Sequence, residues 1–434
     1  MIERGDFPEF ELGVQVVEED QEHAFNFDLL DATKLIPEEL VPIRPLGKMV
    51  LNRNPDNFFA ETEQVAFHPG HVVPGIDFTN DPLLQGRLFS YLDTQLTRLG
   101  GPNFDEIPIN RPLAPVHNNQ RDGFMRQTIN TGKSPYSPNN RARGCPMTTP
   151  EAMGGYVHHM ERVEGHKVRE RSESFKDHYT QAAMFYRSLT ATERRHLIEA
   201  GKFELGKVAD PAIRTRVLEH FARIDAELTQ MVAKAVGVPV PKGPPVGEVP
   251  RSDALSMETD ANRAKRTAKG RKIAAVIADG YDCQVLDAIR KAAEAEGAII
   301  ETVAPHLGEI RSAKGRTVNA DKTFSTTHSV LYDAVFMPGG DDAVRTLLSQ
   351  QPVAPFFMET YAHAKPICIA GAALDAAPRW LPDLEDQALP TGNDQIKEHL
   401  GIVMLRQGNQ QDLADAFLKG VAAYRFWGRA RDDA

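Results

Sequence analysis

Residues 80–101 read NDPLLQGRLFSYLDTQLTRLGG, and this stretch decides how the rest of the chain is understood. It predicts one helix. Asp81 can cap the first turn, and Pro82 falls at the first helical position, where its missing N–H costs nothing. Gly100 and Gly101 supply a left-handed stop at the other end. Within the helix, Arg87, Tyr91, Thr94 and Arg98 recur at i, i+4, i+7 and i+11, so they share a face. A phenol lies there with one guanidinium a turn before it and another two turns after. Nearby positive charge favours phenolate over phenol, and phenolate is the form that a hard ferric ion binds.

Two segments upstream carry further pattern: Asn52-Arg-Asn-Pro-Asp-Asn-Phe-Phe59 and Phe67-His-Pro-Gly-His-Val-Val-Pro-Gly-Ile-Asp-Phe78. Together with Arg87-Leu-Phe-Ser-Tyr91-Leu-Asp-Thr-Gln95, they resemble the haem catalases of the large-subunit type, at and before the proximal haem-ligand helix. Pro108 to Leu113, His117 to Gly123 and Val168 to Ser172 continue the same pattern. The resemblance implies haem as cofactor and hydrogen peroxide, disproportionated to water and dioxygen, as substrate. Tyrosine is the known haem ligand of catalases, so Tyr91 is implied as the axial iron ligand. It also implies cofactor contacts from Arg87, Thr94, Gln95, Arg98, His68 and His71, with Arg98 resembling the arginine that pairs with a haem propionate. In some large-subunit catalases the histidine matching His68 is joined covalently to the tyrosine matching Tyr91. A His-x-x-His in a tight turn, such as His68 and His71, is by itself more often turn hydrogen bonding than a metal site.

The family carries a long segment before this point, with most of an antiparallel barrel, a distal histidine, its serine partner and a distal asparagine. The present sequence starts inside the family pattern, and His23 lies in an acidic turn, Glu19-Asp-Gln-Glu-His23, suited to solvent. The expectation is therefore a C-terminal part of a catalase. Catalytic distal residues are assigned to none of its positions. The intact family is a homotetramer, and this part is expected to need an N-terminal half. The alternative is a non-catalytic haem-binding or interaction protein, and a third reading is hydrolase or chaperone-like chemistry in the C-terminal domain.

The bulk numbers narrow the classes. The 434 residues suffice for two or three domains, and 41% hydrophobic residues for ordinary cores. A net charge of −10 argues against nucleic acid or an anionic membrane as partner. Cys145, Cys283 and Cys368 are widely spaced and odd in number, which suits a reducing cytoplasm rather than a disulfide framework. The first residues are polar, without the apolar core of a secretory signal, and no run approaches the roughly 20 apolar residues of a membrane span.

The expected architecture is multidomain, α+β followed by α/β. Residues 1–130 hold a remnant of the catalase barrel and the helix 80–101, with Phe10 to Val17 and Leu46 to Asn52 as strands. Residues 131–171 form a wrapping loop rich in Pro, Asn, Gly and Arg. Residues 172–236 are helical, opened by a Thr190-Ala-Thr-Glu193 capping box and by Asp210-Pro211. In the last helix Ile213, Val217, Phe221, Ile224, Leu228 and Met231 form a packing stripe. Residues 237–270 are a proline-rich linker, expected to be extended and loosely packed. Residues 271–434 alternate buried strands and helices as a doubly wound sheet. They resemble the flavodoxin-like C-terminal domain of large-subunit catalases, related in fold to class I glutamine amidotransferases and the DJ-1 group. Those relatives place a nucleophilic cysteine after the central strand. Here that turn is Ile369-Ala-Gly-Ala-Ala373 and Cys368 lies within the strand, so a structural role is expected.

Overall fold

The computed structural model of the chain describes residues 1–114, 116, 120–131, 150–153, 155–166, 168–258, 266–381, 384, 389–390, 392–393 and 395–429. Most of the wrapping-loop expectation, residues 132–149, lies outside these, as does Cys145. Two compact units are present: Met1–Ser188 with Ile198–Leu255, and Leu189–Leu197 with Ser256–Ala434.

In the first unit, β1 (Glu9–Val14) pairs antiparallel with β2 (Arg44–Val50). Phe10 faces Met49 and Leu12 faces Gly47 across the ladder, while Glu9 pairs with Lys48 on the opposite side at 2.9 Å. The pair is two strands only, and Phe10, Leu12, Leu46 and Met49 are exposed. Gln15 ties the loop that follows, donating through Nε2 to the carbonyls of Ile36 and Val41. Asp31, buried beside Thr33 and Lys34, fixes the same loop, and Leu35 exchanges two hydrogen bonds with Gln181.

Helix α1 (Pro82–Leu99) stands where the caps predict it, with the Asp81 carboxylate accepting from Leu83 N–H at 2.8 Å and Gly100 at φ +81° ending it. Helices α2 (Thr180–Ser188), α3 (Ala191–Gly206), α4 (Pro211–Ile224) and α5 (Ala226–Val236) follow. At α3 the capping box forms reciprocally between Thr190 and Glu193. The predicted stripe from Ile213 to Met231 does not lie on one helix. Asp225 is extended, at φ −158°, and its carboxylate caps α5 by accepting from Glu227 and Leu228 N–H. The apolar core consequently rests on Tyr186, Leu218, Leu228, Val232 and Val236, and Ile213 is exposed.

The proline-rich stretch is extended but not loose. Arg187 donates to the carbonyls of Val246 and Gly247, and Val246 N–H bonds the Arg223 carbonyl at 2.8 Å. Extended proline-containing backbone leaves carbonyls unpaired, and arginine supplies the donors.

The second unit is built on a seven-stranded sheet in the order β10-β11-β9-β8-β3-β4-β7. Its strands are β3 (Lys272–Val276), β4 (Ile299–Ala304), β7 (Lys322–Thr323), β8 (Ala334–Met337), β9 (Ile367–Ala370), β10 (Ile396–His399) and β11 (Ile402–Leu405). All neighbours run parallel except β10 on β11, so the sheet is mixed. A separate hairpin joins β5 (Gly308–Arg311) and β6 (Thr317–Ala320). Helices α6 (Cys283–Ala295), α7 (Asp341–Leu348), α8 (Val353–Ala362), α9 (Ala373–Trp380) and α10 (Gln410–Ala423) complete the unit. Strands β8, β9 and β11 are buried along their whole length, as continuous apolar runs between helical layers must be. Among the described residues no helix is long and apolar enough to cross a membrane.

Candidate functional site

Helix α1 divides the predicted site residues among three environments. Arg87, Tyr91 and Thr94 lie on its outer face. The Arg87 guanidinium stands 4.7 Å over the Tyr91 ring, so its charge acts on the π face rather than on the phenol oxygen. Tyr91 is half-buried, and among the described residues its hydroxyl takes no hydrogen bond.

Gln95 and Arg98 have a different neighbour, the segment that precedes the helix. Gln95 is buried, and its Nε2 donates to the Phe67 carbonyl at 3.0 Å. Its Oε1 accepts from Arg98 Nε and Nη2 at 3.2 and 3.0 Å. Arg98 also donates from Nη1 to the Glu63 carbonyl at 2.7 Å and from Nη2 to the Val65 carbonyl. The pair therefore lays residues 63–67 along α1 and holds Phe67 in place, its side chain largely exposed.

His68 and His71 form the third environment. Their rings stack at 4.5 Å between centroids, and His71 stacks in turn on Phe104 at 5.8 Å. Gly70 N–H donates to His68 Nδ1 at 2.8 Å, which puts the proton of the neutral imidazole on Nε2. Burial first, and the neighbouring His71 second, push the His68 imidazole below its ordinary value. Both histidines line a cleft of about 640 Å³ whose other walls include Phe67, Val72, Asp105, Ile109 and Tyr156. Asn110 fastens this wall, accepting from Ala66 N–H and donating to the carbonyls of Gln64 and Phe104.

The structure thus pairs Arg87 with Tyr91, Gln95 with Arg98, and His68 with His71. It adds Leu83, exposed one turn before Arg87 on the outer face of α1, which the i, i+4 spacing made legible. It also adds Asn110 and Asp77, whose partners are remote in sequence and gave no local signal. Among the described residues no group of three or more His, Cys, Asp or Glu converges on one point.

Among its described residues the second unit holds no comparable arrangement. Cys368 is fully buried inside β9, and burial pushes its thiol up, the reverse of what a nucleophile needs. In open α/β sheets ligands enter the crevice beyond the carboxyl ends of the strands. Here the loops after β3, β8 and β9 close against each other: a Cβ on Gly339 would stand 2.5 Å from the Ala370 carbonyl oxygen. His363 ends α8 and His399 ends β10.

Comparison with known families follows this division along the chain. Residues 1–143 match the catalase family, residues 172–236 a family described as catalase-related immune-responsive, and residues 269–431 the C-terminal domain found in long catalases. The chain is therefore similar, segment after segment, to the long catalases. It is 48% identical over 396 residues to a catalase of Alkalihalophilus pseudofirmus, covering 91% of this chain and 57% of that protein. It is 46% identical over 435 residues to catalase HPII of Pseudomonas putida, 99% of this chain and 58% of the relative. For catalase-2 of Bacillus subtilis the identity is 45% over 429 residues, 99% and 60%. The chain spans somewhat under two thirds of the length of these relatives.

Proposed function

We propose that the chain supplies the proximal haem side of a catalase, with Tyr91 as the axial iron ligand. The observation that carries this is the outer face of α1, a phenol under a guanidinium and, among the described residues, without a hydrogen-bond partner. A lone phenolate is too small a donor set to hold a bare ion, yet it suits an iron that brings its own equatorial ligands. Haem, when bound, supplies the redox iron at which one hydrogen peroxide is reduced to water while another is oxidised to dioxygen.

The chain's own residues act by charge and position. Arg87, lying over the Tyr91 ring, places positive charge on its π face and holds the ring in position. Leu83, two turns before Tyr91 on the same helix, and Phe67, whose carbonyl Gln95 holds, offer exposed apolar surface. Thr94 is read as a contact to the cofactor's periphery, and Gln95, Arg98 and His68 as holding the segment that precedes the helix. Residues 1–50 are read as part of an antiparallel barrel and 271–434 as a flavodoxin-like domain. A homotetramer in the cytoplasm is the family-based assembly, and buried reduced thiols at Cys283 and Cys368 accord with it.

The test is a ferric absorption spectrum of the purified chain with haem, then oxygen evolution on adding peroxide. A tyrosinate-type spectrum lost in Tyr91→Phe is expected. An unchanged spectrum in that variant overturns the ligand assignment. Oxygen release separates a catalytic role from the non-catalytic haem-binding alternative.

A further inference from the structure

Asp77 lies in the loop that leads into α1, between the cleft-lining residues Val72 to Pro74 and the cap Asp81. Its carboxylate accepts from Tyr156 Oη at 2.8 Å on Oδ1 and from His159 N–H at 2.8 Å on Oδ2. Phe78 N–H donates to Oδ1 at 2.7 Å, and His158 Nδ1 lies 3.3 Å from Oδ2. Tyr156 Oη, above all, and then the His159 N–H hold the Asp77 carboxyl well below the usual carboxylate range.

The donors come from residues 155–166, which have no helix or strand of their own. Among the described residues, Asp77 is the one hydrogen-bond partner of this segment outside positions 150–166. Val157, Met160 and Val163 along it are exposed. Apolar burial therefore does little to hold the segment down, and one carboxylate does most of it. The Tyr156 ring, packed edge-on against His158 at 5.0 Å, forms part of the cleft wall beside His68 and His71.

We infer that residues 155–160 are a strap over the His68–His71 cleft, latched by Asp77, whose release opens one wall of that cleft. The latch is suited to reversible opening. Its bonds are charge-assisted, so it is firm while formed, but they meet at one residue and break together. Opening needs no loss of the α1 caps or of the Gln95–Arg98 tie, which lie on other atoms. The inference stands apart from the haem reading.

Hydrogen exchange on the full chain tests it. Amides at 155–160 are expected to exchange more slowly than those at 161–166, and Asp77→Ala is expected to raise their rate about tenfold or more. Exchange within α1 should stay unchanged. Tyr156→Phe leaves the Asp77–Phe78 bond intact and should give a smaller rise in the same amides, which guards against a general collapse of the loop. Diethyl pyrocarbonate modification of His68, read by mass spectrometry, should quicken in both variants, while exposed His399 of the second unit serves as the control. Equal exchange across 155–166 in the unaltered chain overturns the latch. Faster strap exchange with no change at His68 overturns the strap as a wall of the cleft.

Discussion

The strands of the two units show how differently one chain can use β structure. In β8, β9 and β11 every residue is buried, so both faces of the sheet are covered along these strands. In β1 and β2 nearly every residue is exposed, including Phe10, Leu12, Leu46 and Met49. Helix α1 shares that character, with Leu83, Phe89 and Leu92 exposed and Gln95 as its one buried side chain. The second unit keeps its apolar surface for itself. The first displays apolar side chains on β1, β2 and the helix that carries Tyr91, and exposed patches of this kind mark binding surfaces.

That contrast is open to measurement. The largest stability effect is expected at Phe336 in β8, fully buried against Phe417, where truncation to Ala should cost about 3–5 kcal/mol. Phe89→Ala, at a side chain 68% exposed, should stay within about 0.5 kcal/mol. Denaturant titration of both variants checks this, and equal costs would erase the difference drawn between the units. Arg98→Ala is expected to fall between them, at about 1–2 kcal/mol, since residues 63–67 lose donors to the Glu63 and Val65 carbonyls. Its signature should be faster exchange in that segment, and a uniform loss across the chain would contradict the local tie.

Smaller still is the cap at the helix break. Asp225→Ala should cost about 1 kcal/mol, seen as fraying of α5 in exchange measurements. The gentlest effect is one of pH. Burial depresses the His68 imidazole in the folded chain, so the unfolded chain binds the proton more readily. Stability from this group is complete above about pH 6.5 and declines as pH falls from there through the lower folded value. Protection factors of the amides at 65–72, corrected for the intrinsic pH dependence of exchange, should fall over that window, and His68→Gln should remove the dependence.

Local features were legible from residues 80–101 onward because their partners lie within a turn or two. Asp81 capping Leu83, the Gly100 stop, the Thr190–Glu193 box and the run from Lys272 all depend on short-range geometry. The helix break at Asp225 was missed since the apolar spacing runs straight through it, whereas the cap belongs to a single carboxylate. Arg98 shows the same limit on the site. Spacing puts it on the Tyr91 face, yet its donors reach back to carbonyls more than thirty positions earlier.

What the sequence determined by itself was the kind of helix that carries Tyr91 and the alternation that builds the second unit, because backbone preference and apolar period act over neighbouring residues. Only the tertiary structure decided that Arg87 lies over the ring, that Arg98 ties down residues 63–67, and that Asp77 receives Tyr156 and His159. Those pairings join residues far apart in the chain, and which donor reaches which acceptor depends on how the intervening segments pack.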